Sequence, residues 1–123
     1  ALAAVDALAA DVGSEPPIAL VGWSFGADVA LSVVDDRIAG WVAIAAPLRF
    51  CGDFDAVAGD PRPKLFVLGA NDEIRPPGEV AHTVGDWTNT RVEVVPGASH
   101  FFIGRTDRVV DAVGEFFADL RTR

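Results

Sequence analysis

At 123 residues, half of them apolar, the chain has room for one domain around one core and none for a second. A formal charge of −8 with scattered basic residues (Arg37, Arg49, Arg62, Lys64, Arg75, Arg91, Arg105) argues against nucleic acid or anionic membrane as a partner. The longest apolar runs fall well short of the roughly 20 residues that span a bilayer. The lone cysteine, Cys51, has no partner for an internal disulfide or a shared metal, so it reads as a small apolar residue in a reducing, cytoplasmic setting.

In chain order, Leu2, Val5, Leu8, Ala9 and Val12 recur at helical spacing, and Gly13 with Pro16 and Pro17 stops the helix, which is expected over residues 2 to 12. The run Ile18 to Val21, closed by Gly22, suits a strand covered on both faces of a parallel sheet. A helix follows at once, its apolar side formed by Ala27, Ala30, Leu31 and Val34, ending near Asp35 to Arg37. Residues Gly40 to Ala46 and Lys64 to Gly69 repeat the buried-strand pattern. Val80, Val84 and Trp87, with Pro76 and Pro77 ahead of them, predict a short helix. Arg91 to Val95 alternates charge and apolarity, as a strand at the rim would. Val109, Val113, Phe116, Phe117 and Leu120 then form the apolar stripe of a long closing helix. The expected fold class is therefore α/β: a parallel sheet of about four strands with helices on both faces, over residues 1 to 123 as a single domain.

In open parallel sheets chemistry sits beyond the C-terminal ends of the strands. Three residues stand there: Ser24 just after the first strand, Asp72 three residues past Gly69, and His100 five past Val95. Ser24 lies in Gly22-Trp23-Ser24-Phe25-Gly26, where a sharp strand-to-helix turn would press the flanking glycines together and neither has a Cβ to clash. The same turn places the Phe25 N–H at the start of the helix, suited to an oxyanion. A serine hydroxyl needs an adjacent base, and His100 on a loop is a better candidate than His82, expected on the solvated side of a helix. The imidazole needs a carboxylate, for which Asp72 at the strand end is preferred to Glu73.

Taken together, Gly22 to Ala27, Leu68-Gly69-Ala70-Asn71-Asp72-Glu73-Ile74 and Gly97-Ala98-Ser99-His100-Phe101-Phe102 resemble the α/β-hydrolase superfamily, and more narrowly its lidless, dienelactone-hydrolase-like bacterial serine hydrolases. The resemblance covers essentially the whole chain. It implies nucleophile, acid and base roles for Ser24, Asp72 and His100, with no cofactor and no metal. Dienelactone hydrolases themselves carry cysteine where Ser24 stands, so lactone hydrolysis is not implied. The elbow follows the superfamily's fifth strand, so the resemblance also implies that the earlier strands, and the loop carrying the second oxyanion donor, lie outside these residues. The isolated chain is then expected to be weak or inert and to expose an apolar edge at Ile18 to Val21 through which it associates.

Two readings follow from different classes. One is a serine hydrolase (esterase or thioesterase) cleaving a small-molecule ester or acyl substrate through an acyl-Ser24 intermediate. The other is a non-catalytic binding or interaction domain with the same fold. Pro47, Leu48, Phe50 and Phe54 are candidates for an acyl pocket, and Arg49 and Arg75 read as solvated.

Overall fold

The computed structural model describes residues 18–50 and 53–121. The helix expected over residues 2 to 12 and Cys51 lie outside the described residues. The elements are β1 (Ile18–Trp23), α1 (Phe25–Leu31), β2 (Ile38–Ile44), α2 (Asp55–Gly59), β3 (Lys64–Gly69), α3 (Pro77–Val84), β4 (Thr90–Val95) and α4 (Thr106–Arg121). The four strands pair in parallel in the order β1-β2-β3-β4, so the expected α/β class holds.

Side chains alternate across the sheet and divide the core in two. Trp41 and Ala43 of β2, with Phe66 and Leu68 of β3, pack beneath Leu31, Val57, Val80 and Val84, so α1, α2 and α3 cover one face. Val42, Ile44, Leu65 and Val67 point the other way, onto Val109, Ala112, Phe116 and Leu120 of α4. Burial on both sides is why β2 and β3 read as unbroken apolar runs. The exception is Lys64, the first residue of β3. Its buried ammonium donates to the carbonyls of Asp60 (2.6 Å) and Arg62 (2.8 Å), which offsets the cost of leaving water. That burial pushes its pKa down.

Three details depart from the sequence reading. First, α1 stops at Leu31, and Val34 is exposed. The chain leaves the helix at a β-branched pair, Val33-Val34, and the Val33 carbonyl accepts the indole N–H of buried Trp41 at 3.0 Å. Second, α4 buries Val109, Ala112, Phe116 and Leu120, while Phe117, one position round from Phe116, faces outward. Third, α2 was not expected, because a single turn seating one apolar residue, Val57, leaves no period to read.

At the margins, β4 is a rim strand as expected. β1 has the composition of an inner strand, yet among the described residues it pairs only with β2 and leaves Val21 44% exposed. No helix among the described residues is long and apolar enough to cross a membrane.

Candidate active site

The sheet's ladder runs on past its strands into the loops. Ser24 donates its N–H to the Ile44 carbonyl (2.8 Å), Ala45 to Val67 (2.8 Å) and Ala70 to Val95 (3.0 Å). Each loop at the C-terminal edge therefore starts from a position fixed by its neighbour.

Immediately after its ladder bond the backbone of Ser24 turns to φ 54° and ψ −122°, and the Ser24 carbonyl accepts the first bonds of α1, from Ala27 (2.9 Å) and Asp28 (3.3 Å). Such a conformation costs a non-glycine residue about 1–3 kcal/mol and holds only where the surroundings dictate it. The turn folds α1 back on β1 so tightly that a Cβ on Gly22 would lie 2.6 Å from the Ala27 Cα and closer still to the Gly26 carbonyl group. Gly22 is thus sterically obligatory. Gly26 is not: a Cβ there would meet nothing within 4 Å among the described residues, which corrects the expectation that both glycines relieve one clash. The N–H of Phe25 donates to no backbone acceptor among the described residues.

Ser24, His100 and Asp72, drawn from three separate loops, form one hydrogen-bonded chain. The Ser24 Oγ lies 2.9 Å from His100 Nε2, and His100 Nδ1 lies 2.7 Å from Asp72 Oδ2. With Asp72 ionised, Nδ1 carries the proton and Nε2 is left to accept from the hydroxyl. The other carboxylate oxygen of Asp72 accepts the backbone N–H groups of Ile74 (2.8 Å) and Arg75 (3.0 Å), which fixes the plane of the carboxylate. His100 and Asp72 are buried, while Glu73 and His82 are exposed and take no part in this chain.

The His100 and Asp72 loops are also bound to each other directly. Asn71 donates its N–H to the Ala98 carbonyl at 2.8 Å, and the end of β3 meets the following loop so closely that a Cβ on Gly69 would lie 2.6 Å from the carbonyl oxygens of both Ala98 and Ser99. Two buried polar atoms, Arg75 Nε and Ser99 Oγ, have no hydrogen-bond partner among the described residues. Arg75, which reads as solvated in the sequence, is half-buried, with its guanidinium 3.5 Å from the exposed Glu79.

One participant near the site was not foreseen. Asp28, four residues past Ser24, is fully buried, and its carboxylate accepts three consecutive backbone N–H groups, those of Leu48, Arg49 and Phe50, each at 2.9 Å. Leu48 has φ 56°, and the resulting run of convergent amides is the concave arrangement that binds anions elsewhere; here it grips a side chain of the same molecule. An acid beside Ala27 and three residues before Leu31, on the inward stripe of a helix, was the available signal. Of the four candidate pocket residues, Pro47 is buried and Leu48 and Phe54 pack on the core. Only Phe50 projects, making an edge-to-face contact with Phe25 at 5.4 Å between ring centroids. Among the described residues no group of three or more His, Cys, Asp or Glu could hold a metal ion.

No protein-family model matches the chain, and no curated protein matches it. Solved structures do. An α/β serine hydrolase homologue from Coxiella burnetii superposes with a TM-score of 0.71 at 31% identity, over 98% of this chain and 55% of that one. A protein of unknown function from Agrobacterium tumefaciens, assigned to the α/β hydrolases, gives a TM-score of 0.80 at 24% identity, over 95% and 56%. Est1E from Butyrivibrio proteoclasticus, also solved with ferulic acid bound, gives 0.78 at 16% identity, over 99% and 69%. The chain thus spans about half the length of the first two proteins it resembles.

Proposed function

We propose that this chain, whose α/β-hydrolase-like fold runs over nearly its whole length and matches about half the length of the first solved structures it resembles, carries the nucleophile, base and acid of a serine hydrolase acting on a carboxylic ester or thioester. The observation that supports this reading best is the chain of short hydrogen bonds from Ser24 through His100 to Asp72, built on a serine whose backbone is held at positive φ.

In this mechanism His100 Nε2 takes the hydroxyl proton as Ser24 Oγ attacks the acyl carbon, and the N–H of Phe25 donates to the oxyanion that forms. Collapse of the adduct breaks the bond to the leaving group, which receives the proton from His100 as an alcohol or thiol. Water then attacks acyl-Ser24, giving its proton to His100, and the acid is released as the proton returns to Ser24 Oγ. Asp72 stays ionised throughout, holding the tautomer and stabilising the imidazolium.

One backbone donor makes half of an oxyanion hole. We infer that full turnover needs a second donor from beyond the described residues, on the side of β1 away from β2, and loss of one donor costs about 10²–10³ in rate.

Fluorophosphonate labelling followed by mass spectrometry tests the assignment: the adduct is expected on Ser24 and absent from Ser24→Ala. Labelling that survives that substitution would remove Ser24 from its role.

A further inference from the structure

We propose that Phe25 and Phe50 form a subsite for an aryl group of the substrate, and that Asp28 is the positioning residue that sets this subsite; the proposal rests on the hydrolase reading of Ser24.

Phe25 immediately follows Ser24, and Phe50 sits on the loop after β2, the strand next to the one that delivers Ser24. Both rings are largely solvent-exposed, at 56% and 58%, yet they meet edge to face at 5.4 Å. Two exposed phenylalanines gain little by holding one geometry in water unless something fixes them. A buried carboxylate does so for Phe50. Asp28, on α1 and one turn beyond Ser24, spends its entire buried carboxylate on the amides of Leu48, Arg49 and Phe50. The helix that begins at the nucleophile therefore also carries the anchor for the loop bearing Phe50.

Core packing explains the seat of Leu48 in this coupling but not the position of Phe50. A carboxylate is fully buried, Leu48 is held at positive φ, and the ring these delivered lies in solvent rather than in the core. Edge-to-face pairs leave one ring face and one ring edge open, and both suit a third aromatic ring, which adds a ring–ring contact to the area burial that an alkyl chain would gain there alone. The occupant that fits is a flat aryl group within reach of Ser24, on either the acyl or the alcohol side of the ester.

The test needs no chemistry, so it separates this proposal from the hydrolase reading. The full chain carrying Ser24→Ala is titrated with para-fluorophenylpropanoate and, separately, with para-fluorobenzyl alcohol, followed by fluorine NMR. Saturable binding of one probe is expected, and which one binds assigns the acyl or the alcohol side. Phe50→Ala should weaken that binding about three- to tenfold, with Phe50→Tyr restoring it. Asp28→Asn, which turns one accepting oxygen into a donor facing the loop amides, should cost a similar factor, and the double variant with Phe50→Ala should cost no more than either alone. No binding by either probe, or affinities untouched by Phe50→Ala, would overturn the subsite; a Phe25–Phe50 pair covered by protein rather than ligand gives that second result. Losses that add in the double variant, or an Asp28→Asn chain that is only less thermostable, would overturn the role of Asp28. Absence of fluorophosphonate labelling with Phe50-dependent binding intact would instead sink the hydrolase reading and leave the subsite standing.

Discussion

Gly69 and Ser99 approach until no side chain fits between them: a Cβ at residue 69 would stand 2.6 Å from the Ser99 carbonyl oxygen. One glycine at the end of β3 thus allows the loop holding His100 to lie against the loop holding Asp72.

Replacing it tests whether that closeness sets the geometry. Gly69→Ala should push the two loops apart, slowing fluorophosphonate labelling of Ser24 by about 10²-fold, the usual consequence of misplacing a reacting group by an ångström. The same variant should lose about 1–3 kcal/mol of stability from overpacking. Labelling at the parental rate would show that the approach serves packing alone.

Asp72→Asn addresses the tautomer. The amide oxygen can still accept from Ile74 and Arg75, but the amide nitrogen then faces His100 Nδ1 and favours a proton on Nε2, where the serine proton must go. Ester turnover is expected to fall about 10⁴-fold with the fold intact by circular dichroism. A loss below tenfold would point to another carboxylate.

The two glycines of the elbow should behave differently. Gly22→Ala places a methyl group 2.5 Å from the Gly26 carbonyl carbon and should cost about 3 kcal/mol or prevent folding. Gly26→Ala meets open space within α1 and should be neutral or stabilising by up to about 1 kcal/mol. Thermal melts of the two variants decide it.

The acid limb of stability has an identifiable source. Asp60 is held down to about 2 from an ordinary 3.8, chiefly by the Arg62 side chain that hydrogen-bonds it, and Asp35 likewise to about 2, chiefly by Arg37. A folded-state value below the unfolded one contributes stability that is complete above the ordinary carboxylate range and disappears as pH falls through the depressed value. Urea midpoints should therefore drop between about pH 5 and pH 2, and Asp60→Asn should flatten that drop. An unchanged slope in the variant would place the acid sensitivity elsewhere.

How much of this was legible in the sequence depended on whether the signal was local. β3 and the rim position of β4 could be read because burial on two faces, or alternation on one, writes itself into consecutive residues. Ser24, Asp72 and His100 could be singled out because each follows a strand, and topology rather than proximity in the chain brings them together. What stayed hidden depends on pairs distant in sequence. Gly69 is ordinary until Ser99 is placed against it, and Asp28, an acid on the inward stripe of α1, has no visible partner until the amides of residues 48 to 50 close over it. The helix end at Leu31 does not show in the sequence, because Val34 keeps the apolar spacing while Trp41, further along, claims the backbone carbonyl of Val33.

The amide of Ser24 is the last rung of the β1–β2 ladder, and those of Ala45 and Ala70 play the same part for the next two pairs. End rungs normally fray first, but here the loops beyond them are tied down by the Ser24–His100–Asp72 hydrogen bonds and by the grip of Asp28 on residues 48 to 50, so these three hydrogens should exchange more slowly than ordinary strand-end amides. The nucleophile would then have no private way of loosening: its alignment would fail only when the ties between those loops give way.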